Sequence, residues 1–480
     1  MATAAVDWAA DYLASLPDLP VAPRTSAREL RARLVEPLPA TGREFSELLA
    51  TFREAIVPGS RHNGHPRMFG YVSAPGTAIA AIADFLASTL NANVTAWRSA
   101  PAAATIERLA IEWIRQALGC AAGTCGLFTS GGSMANFTAL AAARHHATGE
   151  GARRGGLRAH PRPLTLYLSD EAHHSSDKAA MLLGLGSDSI RRVAVDASFR
   201  MDVAALAERI RADRAAGCEP FCVVASAGTV VTGAVDPLPE IAALARSERI
   251  WMHVDACYGG FARLAPSAAP LFAGIDEADS VALDPHKWLF LPADCGCLLY
   301  RDPALVGDAF ALGADYTRVT QTDPDESFAF WDYGPELTRR FRALKVWMTM
   351  ALAGTDALGS AIESNLDAAR HLDELVAASD DCERMAPRGL SIVCFRHLPP
   401  AARRSGPRSA EDERALDRWN ERLLTALQLD GSSYLSNAAP AGRFALRACI
   451  LNYRTTRRDV EILLEDVRRI GAALGGAPVA

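Results

Sequence analysis

Only three of the fifty basic residues in the chain are lysine: Lys178, Lys287 and Lys345. Arginine stays protonated, whereas a lysine amine can shed its proton and condense with a carbonyl. A lysine kept in so arginine-rich a chain is a candidate for chemistry that arginine cannot perform. Lys287 stands out, because it lies in Asp284-Pro285-His286-Lys287-Trp288, directly after the apolar run DSVAL. Its proline, histidine and tryptophan neighbours make partly apolar surroundings, which are expected to lower its pKa and leave the amine free.

Four other polar clusters follow apolar runs in the same way. Asp255, in His253-Val254-Asp255-Ala256-Cys257-Tyr258-Gly259-Gly260, closes an apolar segment where an unpaired carboxylate is costly. A cationic ring nitrogen would justify it; a buried salt bridge or a cap is the alternative. Thr129-Ser130-Gly131-Gly132-Ser133 precedes a helical pattern. Its glycines and hydroxyls suit a phosphate at a helix N-terminus, or a plain capped turn. Ser226-Ala227-Gly228-Thr229 lets backbone approach a flat ligand, or simply forms a tight turn. Asp170-Glu171-Ala172-His173-His174 spells a helicase-like DEAH, but no Gly-Lys pair exists anywhere in the chain, which excludes a P-loop. His173 is instead placed to lay its ring on a flat cofactor, with a surface histidine pair as the alternative. No metal site is expected, since HExxH and CxxC are both absent.

The elements around these clusters alternate between helical patterns and short apolar strands. TIERLAIEWIRQAL reads as an amphipathic helix, followed by the strand GLFT and the helix MANFTALAAARHH; LTLYLS, FCVVASA, IWMHVDA and DSVALD read as further strands. Near-continuous apolar strands separated by helices predict a mostly parallel sheet covered on both faces, an α/β fold. In such sheets ligands gather at the carboxyl ends of the strands, where all five clusters fall. Past residue 355 the order becomes helix, strand-like LSIVCFRH, helix, strand FALRACIL and a final helix, a smaller α+β domain.

A length of 480 residues predicts more than one lobe. The net charge of -6 gives no reason to expect nucleic acid or an anionic membrane as partner. No signal peptide is evident at the N-terminus, and the best apolar candidate, AIAAIADFLASTL, carries Asp84 and is too short to span a membrane. Ten scattered cysteines suggest reduced thiols and a cytoplasmic location.

DPHKW, HVDACYGG and RRFRALKVW, in their order, resemble the motifs of the group II pyridoxal-phosphate-dependent amino-acid decarboxylases, and most of all the aromatic-L-amino-acid decarboxylases. The resemblance runs from about His65-Pro66 to the C-terminal helix. It implies a fold-type-I architecture: an N-terminal helical segment over 1–75 that contacts a second copy, a cofactor-binding large domain over 76–355, and a small C-terminal α+β domain over 356–480. It implies pyridoxal 5'-phosphate joined to Lys287 as a Schiff base, with His286 beside the phosphate and Asp284 where many relatives carry asparagine. Asp255 would pair with the pyridine nitrogen and His173 would stack on the ring. Gly132 and Ser133 would hold the phosphate, with Thr229 nearby. Tyr316 matches a loop tyrosine that returns a proton to Cα after CO2 leaves; relatives with phenylalanine there tend to form aldehydes with oxygen. Tyr71, Val72, Thr95, Trp97 and Thr338 match substrate-pocket positions, and no basic residue among them is dedicated to an acidic side chain. Arg447 is similar to the carboxylate-binding arginine of aminotransferases, a structural role being equally open. The implied activity is decarboxylation of an L-amino acid, aromatic by preference, in a homodimer whose sites are shared between subunits.

Overall fold

A computed structural model describes residues 1–311, 323, 325–403 and 406–475. They divide into two compact units, Gly76–Glu363 and Met1–Pro75 with Ser364–Ala480.

The larger unit is built on a seven-stranded sheet. Its strands are β1 (Cys125–Thr129), β2 (Leu164–Ser169), β3 (Ile190–Val193), β4 (Glu219–Ser226), β5 (Trp251–Asp255), β6 (Ser280–Leu283) and β7 (Gly296–Tyr300), in the spatial order β1-β7-β6-β5-β4-β2-β3. The pairs β6–β5, β5–β4, β4–β2 and β2–β3 are parallel, and β7 is antiparallel to both β1 and β6. All strands but β7 therefore point the same way, and their carboxyl ends share one edge. Every residue of β2, β6 and β7 is buried, as expected for strands covered on both faces. The sequence expectation of a mostly parallel sheet thus holds, with β3 and β7 as additional members.

Two buried carboxylates fix that edge. Asp236 accepts the N–H groups of Ser226 at the end of β4 and of Met201, both at 2.7 Å. Glu107, on the helix Pro101–Leu118, accepts the Phe128 N–H at 3.0 Å and pairs with Arg339. Arg339 in turn donates to the carbonyls of Val94 and Phe128, each at 2.8 Å, and its guanidinium lies 4.2 Å from the Phe330 ring centroid. Both charges of this pair are out of water, so losing either partner would strand the other. Together they hold Phe128 by its N–H and its C=O, two residues before the Ser130–Ser133 turn.

The smaller unit carries a four-stranded antiparallel sheet of β8 (Cys382–Arg384), β9 (Ile392–His397), β10 (Ser436–Ala438) and β11 (Ala445–Cys449), ordered β10-β11-β9-β8. Its core joins Phe395 and Leu446 of the sheet to Leu423 and Leu427 of the helix Ala410–Asp430 and to Leu463 and Val467 of the helix Arg457–Gly475. Phe69 belongs to the same core, and its backbone bonds Tyr434 and Cys449, so the N-terminal segment is tied into this unit.

Candidate active site

The carboxyl ends of β1, β2, β4, β5 and β6 surround a cleft of about 310 Å³, within the size range of small-molecule sites. Lys287, Asp284, His286, Asp255, His173, Thr229, Gly132 and Ser133 all line it. Thus all eight cofactor positions expected from sequence come together within one unit.

Each is placed by local backbone. Asp284 directly follows β6 and stands at the N-cap of a single helical turn, Pro285–Trp288, with proline at its first position. That turn swings Lys287 back over the strand ends. The chain after β1 enters the helix Gly132–Gly155 through Gly131, whose φ of +153° is rarely adopted by other residues. The first-turn N–H groups at Gly132 and Ser133 have no acceptor within the helix. A Cβ on Gly132 would lie 2.8 Å from Asp284 Oδ2, so only glycine lets these elements meet. Gly228 has φ +112°, and a Cβ there would press on the Tyr258 ring at 2.9 Å. Thr229, three residues past the end of β4, bonds Thr232 Oγ1 at 3.0 Å and accepts the Ala234 N–H at 3.1 Å. His286 donates from Nδ1 to the Cys295 carbonyl at 2.7 Å, and its Cε1 would meet a Cβ on Gly131 at 3.8 Å.

A hydrogen-bond chain through the core sets the proton on each ring. Asp255 accepts the Cys257 N–H at 3.1 Å and the Asn136 Nδ2 at 2.8 Å. Asn136 Nδ2 also donates to Ser175 Oγ at 2.8 Å, so its Oδ1 must accept from His253 Nε2 at 2.9 Å. His253 Nδ1 then accepts from the Ser280 hydroxyl at 2.8 Å, and that oxygen accepts the Trp251 indole N–H at 2.8 Å. Burial pushes the His253 pKa down to about 4, which agrees with a neutral ring. The Ser175 hydroxyl, having accepted from Asn136, donates to His173 Nδ1 at 2.8 Å, which leaves the His173 proton on Nε2. Burial lowers the His173 pKa against the opposing pull of Asp255. Burial alone would raise the Asp255 pKa, but Lys287, the Cys257 side chain and Asn136 outweigh it and hold the carboxylate ionised.

The expectation of a free Lys287 amine is corrected by this geometry. Nζ lies 2.8 Å from Asp284 Oδ2, and although burial works against the ammonium, Asp284 overrides it and raises the Lys287 pKa. Local apolar neighbours suggested the opposite sign; the carboxylate one helical turn away decides it. Of the other lysines, Lys178 is exposed, and Lys345 is buried in contact with Asp84 at 3.0 Å and the Pro292 carbonyl at 2.9 Å.

Tyr316 lies outside the described residues. None of Tyr71, Val72, Thr95, Trp97 and Thr338 lines the cleft. Thr95 is buried, its carbonyl accepting the Phe330 N–H at 2.9 Å, while Trp97 is half-buried and Thr338 exposed. In the other unit, Tyr71 takes φ +60° and places its hydroxyl 3.4 Å from that of Tyr434. Val72 follows it, half-buried. Arg447 there donates to the Tyr71 carbonyl at 3.0 Å and to Ser436 Oγ at 3.2 Å; its buried Nε and Nη2 find no partner among the described residues. Asn136 carries no sequence signal of its own, since its partners Ser175, His253 and Asp255 are distant in the chain. Among the described residues no cluster suited to a metal ion occurs, all ten cysteines are free, and no helix is long and apolar enough to cross a membrane.

A lysine, a buried ionised carboxylate and a glycine-bounded helix N-terminus around one cleft suit an aldehyde, a protonated ring nitrogen and a phosphate respectively. The donor set fits pyridoxal phosphate, and with the parallel sheet it defines a pyridoxal-phosphate enzyme. The pyridoxal-dependent decarboxylase conserved domain matches residues 28–398. The chain is 34% identical over 466 residues to an aromatic-L-amino-acid decarboxylase of Bacillus atrophaeus, covering 97% of this chain and 94% of that one. It is 29% identical over 462 residues to a phenylacetaldehyde synthase of Petunia hybrida, covering 93% and 90% of the two chains. A crystal structure of Oryza sativa TDC with PLP and tryptamine superposes with a TM-score of 0.90 at 30% identity, covering 98% of this chain and 97% of that one. The chain belongs to the pyridoxal-dependent decarboxylase family, and it is a pyridoxal-phosphate-dependent amino-acid decarboxylase.

Proposed function

We propose that this enzyme decarboxylates aromatic L-amino acids to the corresponding amines. The observation that carries the reading is the convergence of Lys287, Asp255 and the Gly132–Ser133 turn on one cleft, in a chain whose relatives include aromatic-amino-acid decarboxylases. When bound, pyridoxal phosphate supplies an electron sink for the pair left at Cα as the carboxylate departs. Lys287 holds it covalently through Nζ, and Asp255 keeps a proton on the ring nitrogen. Gly132 and Ser133, with His286 beside them, take the phosphate, and Thr229 borders the same cleft. His173, with its proton on Nε2, would lay its ring on the flat group. Tyr316 is the residue assigned to return a proton to Cα, by the match of its loop to the family.

An aldehyde-forming activity is the second reading, favoured by the relatives that are aldehyde synthases. One assay separates the two. The loaded enzyme, given a mixture of common amino acids with DOPA and 5-hydroxytryptophan, is expected to yield aromatic amines by mass spectrometry without oxygen consumption. Tyr316→Phe is expected to lower amine output about 10²-fold, as for loss of a general acid, and to divert the product to aldehyde with oxygen consumed. Normal amine output from that variant would remove Tyr316 from the chemistry, and amines only from acidic amino acids would overturn the aromatic assignment.

The site is further proposed to be shared in a homodimer. Thr95, Trp97 and Thr338 leave the cleft without the pocket wall assigned to them. The helix Ala78–Leu90 also exposes Ile82, Phe85, Leu86 and Leu90 by 44% to 66%, on a single face. Sedimentation is expected to give twice the 51.2 kDa chain mass; a fully active monomer would contradict it. A cytoplasmic location accords with ten free thiols, and targeted imaging of a tagged chain tests it.

A further inference from the structure

We propose that Asp284 is a brake on cofactor capture: its carboxylate holds the Lys287 amine as an ammonium ion and so limits how fast the enzyme takes up pyridoxal phosphate. The inference rests on the reading of Lys287 as the attachment point and adds to it a positioning residue.

The geometry is direct. Asp284 and Lys287 stand three residues apart across a single helical turn, which brings their side chains to one face. Oδ2 lies 2.8 Å from Nζ, and the carboxylate is only 3% exposed, so little water weakens the attraction. The second oxygen, Oδ1, is buried without a hydrogen bond and lies 3.6 Å from His286 Nδ1, whose proton goes to the Cys295 carbonyl. Among the described residues Asp284 is thus not engaged elsewhere, and Lys287 is its one close cation. The other groups facing Lys287 are Asp255 and His173 from the ends of β5 and β2, and Cys257, whose thiol burial keeps protonated. None of these is recorded in hydrogen-bond contact with Nζ. An asparagine would keep the shape of Asp284 and remove the charge.

Capture joins Nζ to the aldehyde carbon, forming a C=N bond and releasing one water. The amine must first give its extra proton to solvent, because the lone pair that attacks is the one the ammonium proton occupies. The slower that free amine is supplied, the slower the capture.

Cofactor-free wild type and Asp284→Asn are mixed rapidly with pyridoxal phosphate, and the visible absorbance of the attached cofactor is followed from mildly acidic to mildly alkaline pH. Each unit removed from the lysine pKa raises the free-amine fraction about tenfold, so the variant is expected to capture at least about tenfold faster at neutral pH. Its rate should also level off at lower pH than that of wild type. The same gain is expected with pyridoxal, which lacks the phosphate, because the effect lies on the amine. An unchanged or slower rate would overturn the proposal, and so would a gain confined to pyridoxal phosphate, which would place the effect on phosphate repulsion. Asp284→Ser removes the same charge without added bulk and is read the same way if the amide variant does not fold. Lys287→Ala separates the two levels: a persistent visible band in that variant defeats the attachment reading, whereas its loss together with an unaccelerated Asp284→Asn defeats the brake alone.

Discussion

Lys287→Ala is expected to lose the visible absorbance of attached cofactor and to lower turnover by more than about 10³-fold, as when a residue that forms the covalent bond is removed. No other lysine can take over. Lys178 is exposed on the helix Ser175–Leu182 and is absent from the cleft, and Lys345 is committed to Asp84 and the Pro292 carbonyl. The protein should still fold, because the substitution removes a buried cation but leaves Asp284 near the helix N-terminus at Gly132, a favourable place for a negative group. An absorption spectrum of the purified variant, with circular dichroism as the folding control, checks both halves. An unchanged visible band would mean that the cofactor is held elsewhere.

Asp255→Asn is expected to cost about 10²–10³-fold in kcat with KM little changed, the range for deleting one preorganised electrostatic stabiliser. The carboxylate serves as the fixed negative charge opposite the ring nitrogen, and it matters most when electrons flow into the ring. Asparagine preserves the shape but keeps one acceptor oxygen, so it can accept the Cys257 N–H or the Asn136 amide hydrogen and not both; a loss of kcat in variant enzyme that still loads cofactor reports on charge. Steady-state kinetics with an aromatic amino acid, compared with the fraction of enzyme loaded, measures it. Activity within a few-fold of wild type would show that the ring nitrogen does not depend on Asp255.

These expectations rest on a site that was largely legible in the sequence. Runs such as LTLYLS and FCVVAS, short and apolar at most positions, read as strands buried on both faces, and the polar residues that end them share an edge once the strands are parallel. Strand β3, IRRV, was not legible: it lies at the sheet margin, part of it faces solvent, and its two arginines hide the apolar signal. The hydrogen-bond chain from Trp251 to His173 was not legible either. It joins Asn136 to Ser175, His253 and Asp255, positions 39, 117 and 119 residues away, and no local pattern announces such partners. The charge state of Lys287 was misjudged for a different reason. The relevant carboxylate is three residues distant, well within view, but only the single turn Pro285–Trp288 folds its side chain back onto Nζ.

With only three lysines in the chain, the central claim has a direct test. The enzyme loaded with pyridoxal phosphate is reduced with borohydride, digested, and mapped by mass spectrometry for the lysine that carries the reduced cofactor. The account predicts a single modified peptide, modified at Lys287. Stoichiometric label on Lys178 or Lys345, or cofactor lost entirely after reduction, would contradict it.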